Sequence, residues 1–133
     1  MIGTIDEILL NTILETIPLE FSVLDKNDKV LAWNKHENRI FKRPKGSIGK
    51  DVRDCHPKES LSKVEQILKE MKQGLREKAR FYINLTFDDG KKHKILIEYY
   101  ALRDEKNNYL GCLEASQDIT EIQSLKGEKR LLD

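Results

Sequence analysis

Between Lys58 and Phe87 the apolar residues change their period. Leu61, Val64, Ile67, Leu68 and Met71 are spaced three, three, one and three apart, which lines one face of an α-helix. Lys63, Glu65, Lys69, Glu70, Lys72 and Gln73 fall on the other face. Pro57 suits the first helical turn, where its missing N–H is not needed, and Gly74 suits the end. Beyond it, Phe81, Ile83, Leu85 and Phe87 alternate with Tyr82, Asn84 and Thr86, the period of a strand covered on one side. Asp88-Asp89-Gly90 is a turn signature, residues 91–102 return as a second long strand, and residues 109–118 make a third. A helix followed by consecutive antiparallel strands places the chain in the α+β class, with the helix packed on the sheet.

Ahead of that helix, residues 19–24 and 29–34 read as two short strands around the turn formers Asp25-Lys26-Asn27-Asp28. Phe21 and Val23 share one face, Val30 and Ala32 share another, and Leu31 and Trp33 lie opposite these last two. The expected sheet is therefore five-stranded, antiparallel and meander-like, with helices on one face. Asn34 suits the N-cap of a short helix over 35–42, with Ile40 and Phe41 inward and Lys35, His36 and Arg39 outward. Residues 4–17 predict an N-terminal helix opened by a Thr4–Glu7 capping box. Its stripe of Ile5, Ile8, Leu9, Ile13 and Ile17, widened by Leu10 and Leu14, exceeds what one sheet face covers. Packing on its own domain and a share in a homodimer interface both follow from that width. Residues 118–132 predict a C-terminal exit helix with a thin stripe of Ile119, Ile122, Leu125 and Leu132. The division expected is a cap helix over 1–18, a core over 19–118 and a linker helix over 119–133.

Composition narrows the function. Lys and Arg number 24 against 23 Asp and Glu, so no global charge draws the chain to nucleic acid or to an acidic membrane. No apolar run nears the ~18–20 residues that span a bilayer, and no basic–apolar leader opens the chain. Cys55 and Cys112 form no disulfide framework, which predicts a reducing cytoplasm, and the Lys- and Ile-rich composition suits a prokaryote. No nucleophile–base pair, phosphate-cradling glycine loop or paired-acid pattern is present, so the expectation is a binding module and not an enzyme.

Several motifs then fall in one order. Val30-Leu31-Ala32-Trp33-Asn34, Ser47-Ile48-Gly49-Lys50, Cys55-His56-Pro57, Gly111 and Asp118-Ile119-Thr120 follow one another along nearly the whole chain. In this order and spacing the sequence resembles the PAS domain family, and its wording over residues 52–57 is closest to the stand-alone PAS domains associated with DUF438-type or hemerythrin-like proteins. The resemblance implies a sensory or dimerisation module. Its members bind haem, flavin, small acids or lipids between the long helix and the sheet, or bind nothing, and report through the exit segment to a signalling partner protein.

The resemblance also implies a site. Haem b is its leading cofactor, with His56 as the metal ligand, because haem-binding members hold iron with an imidazole aimed into an apolar pocket. The plain reading of His56 is a ring that caps local backbone at the start of the helix. The cofactor-binding set expected is His56, Cys55, Leu61, Val64, Leu68, Trp33 and Phe41. Cys55 is also readable as a thiolate ligand or redox thiol, and the flavin-reactive cysteine motif of photoreceptors is absent. Of Glu98 and Glu114, one facing inward would select a hydrogen-bond donor on a ligand, but both are expected to face solvent. His36 and His93 are expected on the solvated surface. The alternatives to a haem sensor are a metabolite sensor without haem and a ligand-free interaction module.

Overall fold

The computed structural model describes residues 1–35 and 37–132, so the expectation for His36 lies outside the described residues. The five strands are β1 (Glu20–Asp25), β2 (Val30–Trp33), β3 (Lys78–Thr86), β4 (Lys92–Arg103) and β5 (Tyr109–Asp118). They form one antiparallel sheet in the order β2-β1-β5-β4-β3. The sheet is thus not a simple meander. The N-terminal hairpin docks its β1 against β5, so the first and last strands meet at the centre. Two α-helices accompany the sheet, α1 (Glu7–Thr16) and α2 (Lys58–Lys72).

Helix α2 packs Val64, Leu68 and Met71 into a core with Leu24, Val30, Val52, Ile95 and Cys112. Pro57 stands one position ahead of the helix as its N-cap. At the far end Gly74 takes φ +76°, its N–H donating to the Met71 carbonyl while the Leu75 N–H reaches the Glu70 carbonyl. That pair of bonds is a Schellman closure and needs the left-handed residue glycine supplies. The buried Asp28 carboxylate, in the β1–β2 turn, accepts from Lys72 Nζ at 2.6 Å and pairs with Arg53 at 3.1 Å, tying the turn to the last turn of α2.

Three local expectations give way. Helix α1 begins at Glu7, capped by Asp6, whose carboxylate accepts from the Leu9 N–H at 2.7 Å; Thr4 caps nothing. No helix forms over the described residues of 35–42, because the Asn34 side chain is committed elsewhere. Its carbonyl accepts from the Phe21 N–H, and its amide donates to the Leu14 and Leu19 carbonyls, which fastens α1 to the edge of the sheet. The exit segment forms a single 3-10 turn over Ile122–Ser124 instead of a helix. Of its thin apolar stripe, Ile122, Leu125 and Leu132 stay exposed, and a short helix without packing is marginal in water. Among the described residues, no helix is long and apolar enough to cross a membrane.

The exit segment is held at its root. Thr120 Oγ1 accepts from the Lys94 N–H, and the Asp118 carboxylate accepts from the Thr120 N–H. His93 lies between Asp118 (Nδ1, 2.6 Å) and Asp89 (Nε2, 2.8 Å), its ring stacked on Phe87 at 4.1 Å. Both ring nitrogens can donate only in the imidazolium. The bonds to Asp89 first and Asp118 second accordingly raise the His93 pKa above 6.5. A pKa raised in the folded state gives stability that is complete below the unfolded value and fades as pH rises through the folded value. Urea midpoints should therefore decline as pH rises above the ordinary histidine value of about 6.5 and through the raised folded value. His93→Gln should flatten that decline; equal slopes in the two proteins would show that another group titrates.

Candidate functional site

The inward face of the sheet changes character along its strands. One rung across it, Leu24, Cys112 and Ala101, is apolar and lies in the core under α2. The next rung is Ser22, Glu114, Tyr99 and Ala79, and the one after it Glu20, Ser116, Ile97 and Phe81. In β1 the buried residues are Glu20, Ser22 and Leu24, while the apolar Phe21 and Val23 lie half-buried on the other side. Over the two polar rungs α2 does not close on the sheet. A cavity of about 950 Å³ opens there, walled by the start of α2, the turns before it and the loop carrying Arg39 and Arg43.

The floor of this cavity is charged. Arg39 and Glu20 are almost wholly buried, with side chains 3% and 4% exposed and paired at 3.2 Å. Arg39 also donates to the carbonyls of Asn34, Phe41 and Phe21 and to Ser22 Oγ, while Glu20 accepts from the Ile40 and Phe41 N–H groups. This pair pins residues 39–41 across the mouth of the sheet. Beside it Arg43 Nη2 donates to Glu114 Oε2 at 2.8 Å. Here the bonding is incomplete, because Glu114 Oε1 and Arg43 Nε are buried and have no hydrogen-bond partner among the described residues. Burial pushes the Glu114 carboxyl above its ordinary value, and Arg43 pulls it back.

His56 lies in the wall. Residues 52–55 make a 3-10 turn capped by Asp51, and this leaves the Val52 carbonyl 3.0 Å from His56 Nδ1. A carbonyl only accepts, so Nδ1 carries the proton, and in the tautomer protonated there alone Nε2 is an acceptor. The Tyr99 hydroxyl stands 3.4 Å from Nε2, and burial raises its pKa so far that it remains a donor.

Of the residues expected at the site, His56, Cys55, Val64 and Phe41 line the cavity. Leu61, Leu68 and Trp33 do not: Leu68 is core, Trp33 packs against the core, and Leu61 is half-buried outside the cavity. Cys55 Sγ rests 3.8 Å from the Asp51 carbonyl, in a partly buried position. Glu98 does lie on the outer side, held by Lys78 and Arg80, each at 2.9 Å. Glu114 and Arg39, expected in solvent, are instead buried in the cavity floor. Sequence reasoning also passed over Glu20, Ser22, Arg43 and Ser116. The available signal was the run Glu20, Ser22, Leu24, which holds the same period of two as its apolar neighbours.

A PAS domain family model matches residues 10–120. The chain belongs to the PAS domain family. Such domains are generally sensory, non-catalytic modules. No curated protein matches this PAS domain significantly in sequence. Among solved structures it is similar to the C-terminal domain of a Streptococcus mutans protein, with a TM-score of 0.83 and 27% identity over 95% of this chain and 94% of that one. It also resembles the PAS domain of a Colwellia psychrerythraea protein, with a TM-score of 0.60 and 19% identity over 86% of this chain and 99% of that one. The Vibrio cholerae receptor VqmA, described as a dimer of the LuxR type, aligns with a TM-score of 0.65 and 16% identity over 97% of this chain and 60% of its own.

Proposed function

We propose that this PAS domain is a sensor for a small polar molecule held in the cavity over Glu114. The observation that carries the reading is the Arg43–Glu114 pair, which lines the cavity and keeps a buried unpartnered atom on each member. Buried polar groups without partners are rare and costly, and a ligand is one way to satisfy them. Haem fits this lining poorly. It wants an imidazole nitrogen free to bind iron and an apolar slot for the macrocycle. Here both nitrogens of His56 are within reach of protein partners, and the floor carries Glu20, Arg39, Arg43 and Glu114.

A homodimer through α1 belongs to the same proposal. Ile8 is 81% exposed, and Leu9, Leu10 and Ile13 are also exposed on this helix, an apolar stripe with nothing over it in the monomer. Ligand binding would change the packing around the cavity and be passed to a partner protein. It can do so only by the difference in affinity between the two packings.

A thermal-unfolding screen against small polar metabolites tests the ligand. A true ligand at about 100 times its Kd should raise stability by about 2.7 kcal/mol. Ser60→Trp, which fills the cavity from the first turn of α2, should remove the effect. A Soret band with added hemin that disappears in His56→Ala, with no metabolite effect, would instead make this a haem protein.

A further inference from the structure

The chemistry of the ligand is legible in what the cavity floor leaves unpaired, granted that the cavity is the ligand site. Glu20 and Arg39 have partners for both carboxylate oxygens and for every guanidinium nitrogen. Glu114 and Arg43, with side chains 9% and 11% exposed, do not. Their shared bond uses Glu114 Oε2 and Arg43 Nη2, leaving a buried acceptor, Glu114 Oε1, and a buried donor, Arg43 Nε, unpaired on the two halves of one ion pair. Burial raises the Glu114 pKa, and the guanidinium 2.8 Å from Oε2 opposes that shift; the ion pair it forms is the geometric ground for an ionised carboxylate, whose Oε1 takes a proton donor.

The charges of this floor already balance, with two carboxylates, Glu20 and Glu114, against two guanidinium groups, Arg39 and Arg43. A cation or an anion entering would add a buried charge with no counter-ion, which is strongly unfavourable. The head group that remains is neutral and presents a donor and an acceptor side by side. An amide does this with its N–H and C=O. Val64, Ile67 and Phe81 in the wall offer apolar surface to the rest of the molecule.

The geometry points to an uncharged amide, a primary carboxamide or a lactam on an apolar body, as the ligand class of this cavity. Its N–H donates to Glu114 Oε1 and its C=O accepts from Arg43 Nε. Around the cavity the exposed Lys42, Lys50 and Lys63 outnumber the exposed Asp54 and Glu59, a small bias toward anions that makes a carboxylate the demanding competitor.

Three probes with one phenyl body separate the classes: benzamide, benzoate and benzylamine, each titrated into the whole chain and followed by amide NMR shifts. Benzamide should bind at least about ten-fold more tightly than the other two, the worth of one hydrogen bond to a charged group. Glu114→Gln keeps a carbonyl for Arg43 but turns an NH2 toward the ligand, so benzamide should weaken about ten-fold and benzoate should gain. Arg43→Lys keeps a cation for Glu114 without the Nε–H and should weaken benzamide while the chain stays folded. Benzoate or benzylamine matching benzamide in the parent protein, or an unchanged order in Glu114→Gln, would overturn the amide assignment and leave the cavity a ligand site. Absence of shifts at cavity residues with all three probes would overturn the assignment, and if the metabolite screen also failed, the ligand site with it.

Discussion

Arg39→Met should destabilise the domain by about 3–5 kcal/mol, the usual consequence of removing one partner from a buried ion pair. Nothing on the surface of the molecule announces so large an effect, because the guanidinium is hidden. Its loss leaves the Glu20 carboxylate without its cation and the carbonyls of Asn34 and Phe41 without the guanidinium donor, while the Phe21 carbonyl keeps only the Asn34 N–H at 3.3 Å. Each such orphan is costly in a region of low dielectric. Against a typical total of about 5–15 kcal/mol, this is at least about a fifth of the stability. Urea unfolding measures it directly. The double variant Glu20→Gln with Arg39→Met should recover part of the loss, since no ionised group is then left buried without its partner. A change below about 1 kcal/mol in the single variant would place Arg39 among ordinary surface ion pairs and undo the description of the floor.

The same residues show what was legible beforehand and what was not. The α2 helix and strands β3 to β5 could be read because their signals are local: a period of three to four, then a period of two, then a turn of Asp88-Asp89-Gly90. The pairing of β1 with β5 could not, because no local pattern encodes a contact between residues some ninety positions apart, such as Ser22 and Glu114. The cavity was hidden by the rule that made the strands visible. Reading apolar as inward puts Phe21 and Val23 inside, whereas Glu20 and Ser22 face the cavity and are the more deeply buried. Arg39 and Glu114 were assigned to solvent for the same reason. Binary patterning assumes an oily interior, and it inverts where the interior is a polar chamber. His56 was legible as a cavity residue, but its bond to the Val52 carbonyl depends on a 3-10 turn that its sequence does not spell out.

The floor of the chamber rests on the approach of two backbones, and one glycine sets it. Gly111 lies in β5 opposite Asp25 of β1, and a Cβ built on it would stand 2.1 Å from the Leu24 carbonyl oxygen. The carbonyl carbon of Leu24 and Cα of Asp25 follow at 3.1 and 3.3 Å. All three are backbone atoms of the partner strand, so no rotamer change relieves the contact; the strands themselves must part. Gly111→Ala should therefore cost about 3 kcal/mol or more, at the upper end of overpacking effects. Gly46 provides the control, since a Cβ there meets nothing within 4 Å and its φ is not in the left-handed region, so Gly46→Ala should stay within about 0.5 kcal/mol of the parent. The damage in Gly111→Ala should also reach the cavity. Glu114 lies three residues along β5 and Ser22 two residues before Leu24, and the two face each other across the seam that would open. Ligand affinity should fall with stability in Gly111→Ala and be unchanged in Gly46→Ala. Loss of stability with full retention of binding would mean that the Glu114 rung holds its shape without help from the β1–β5 pairing.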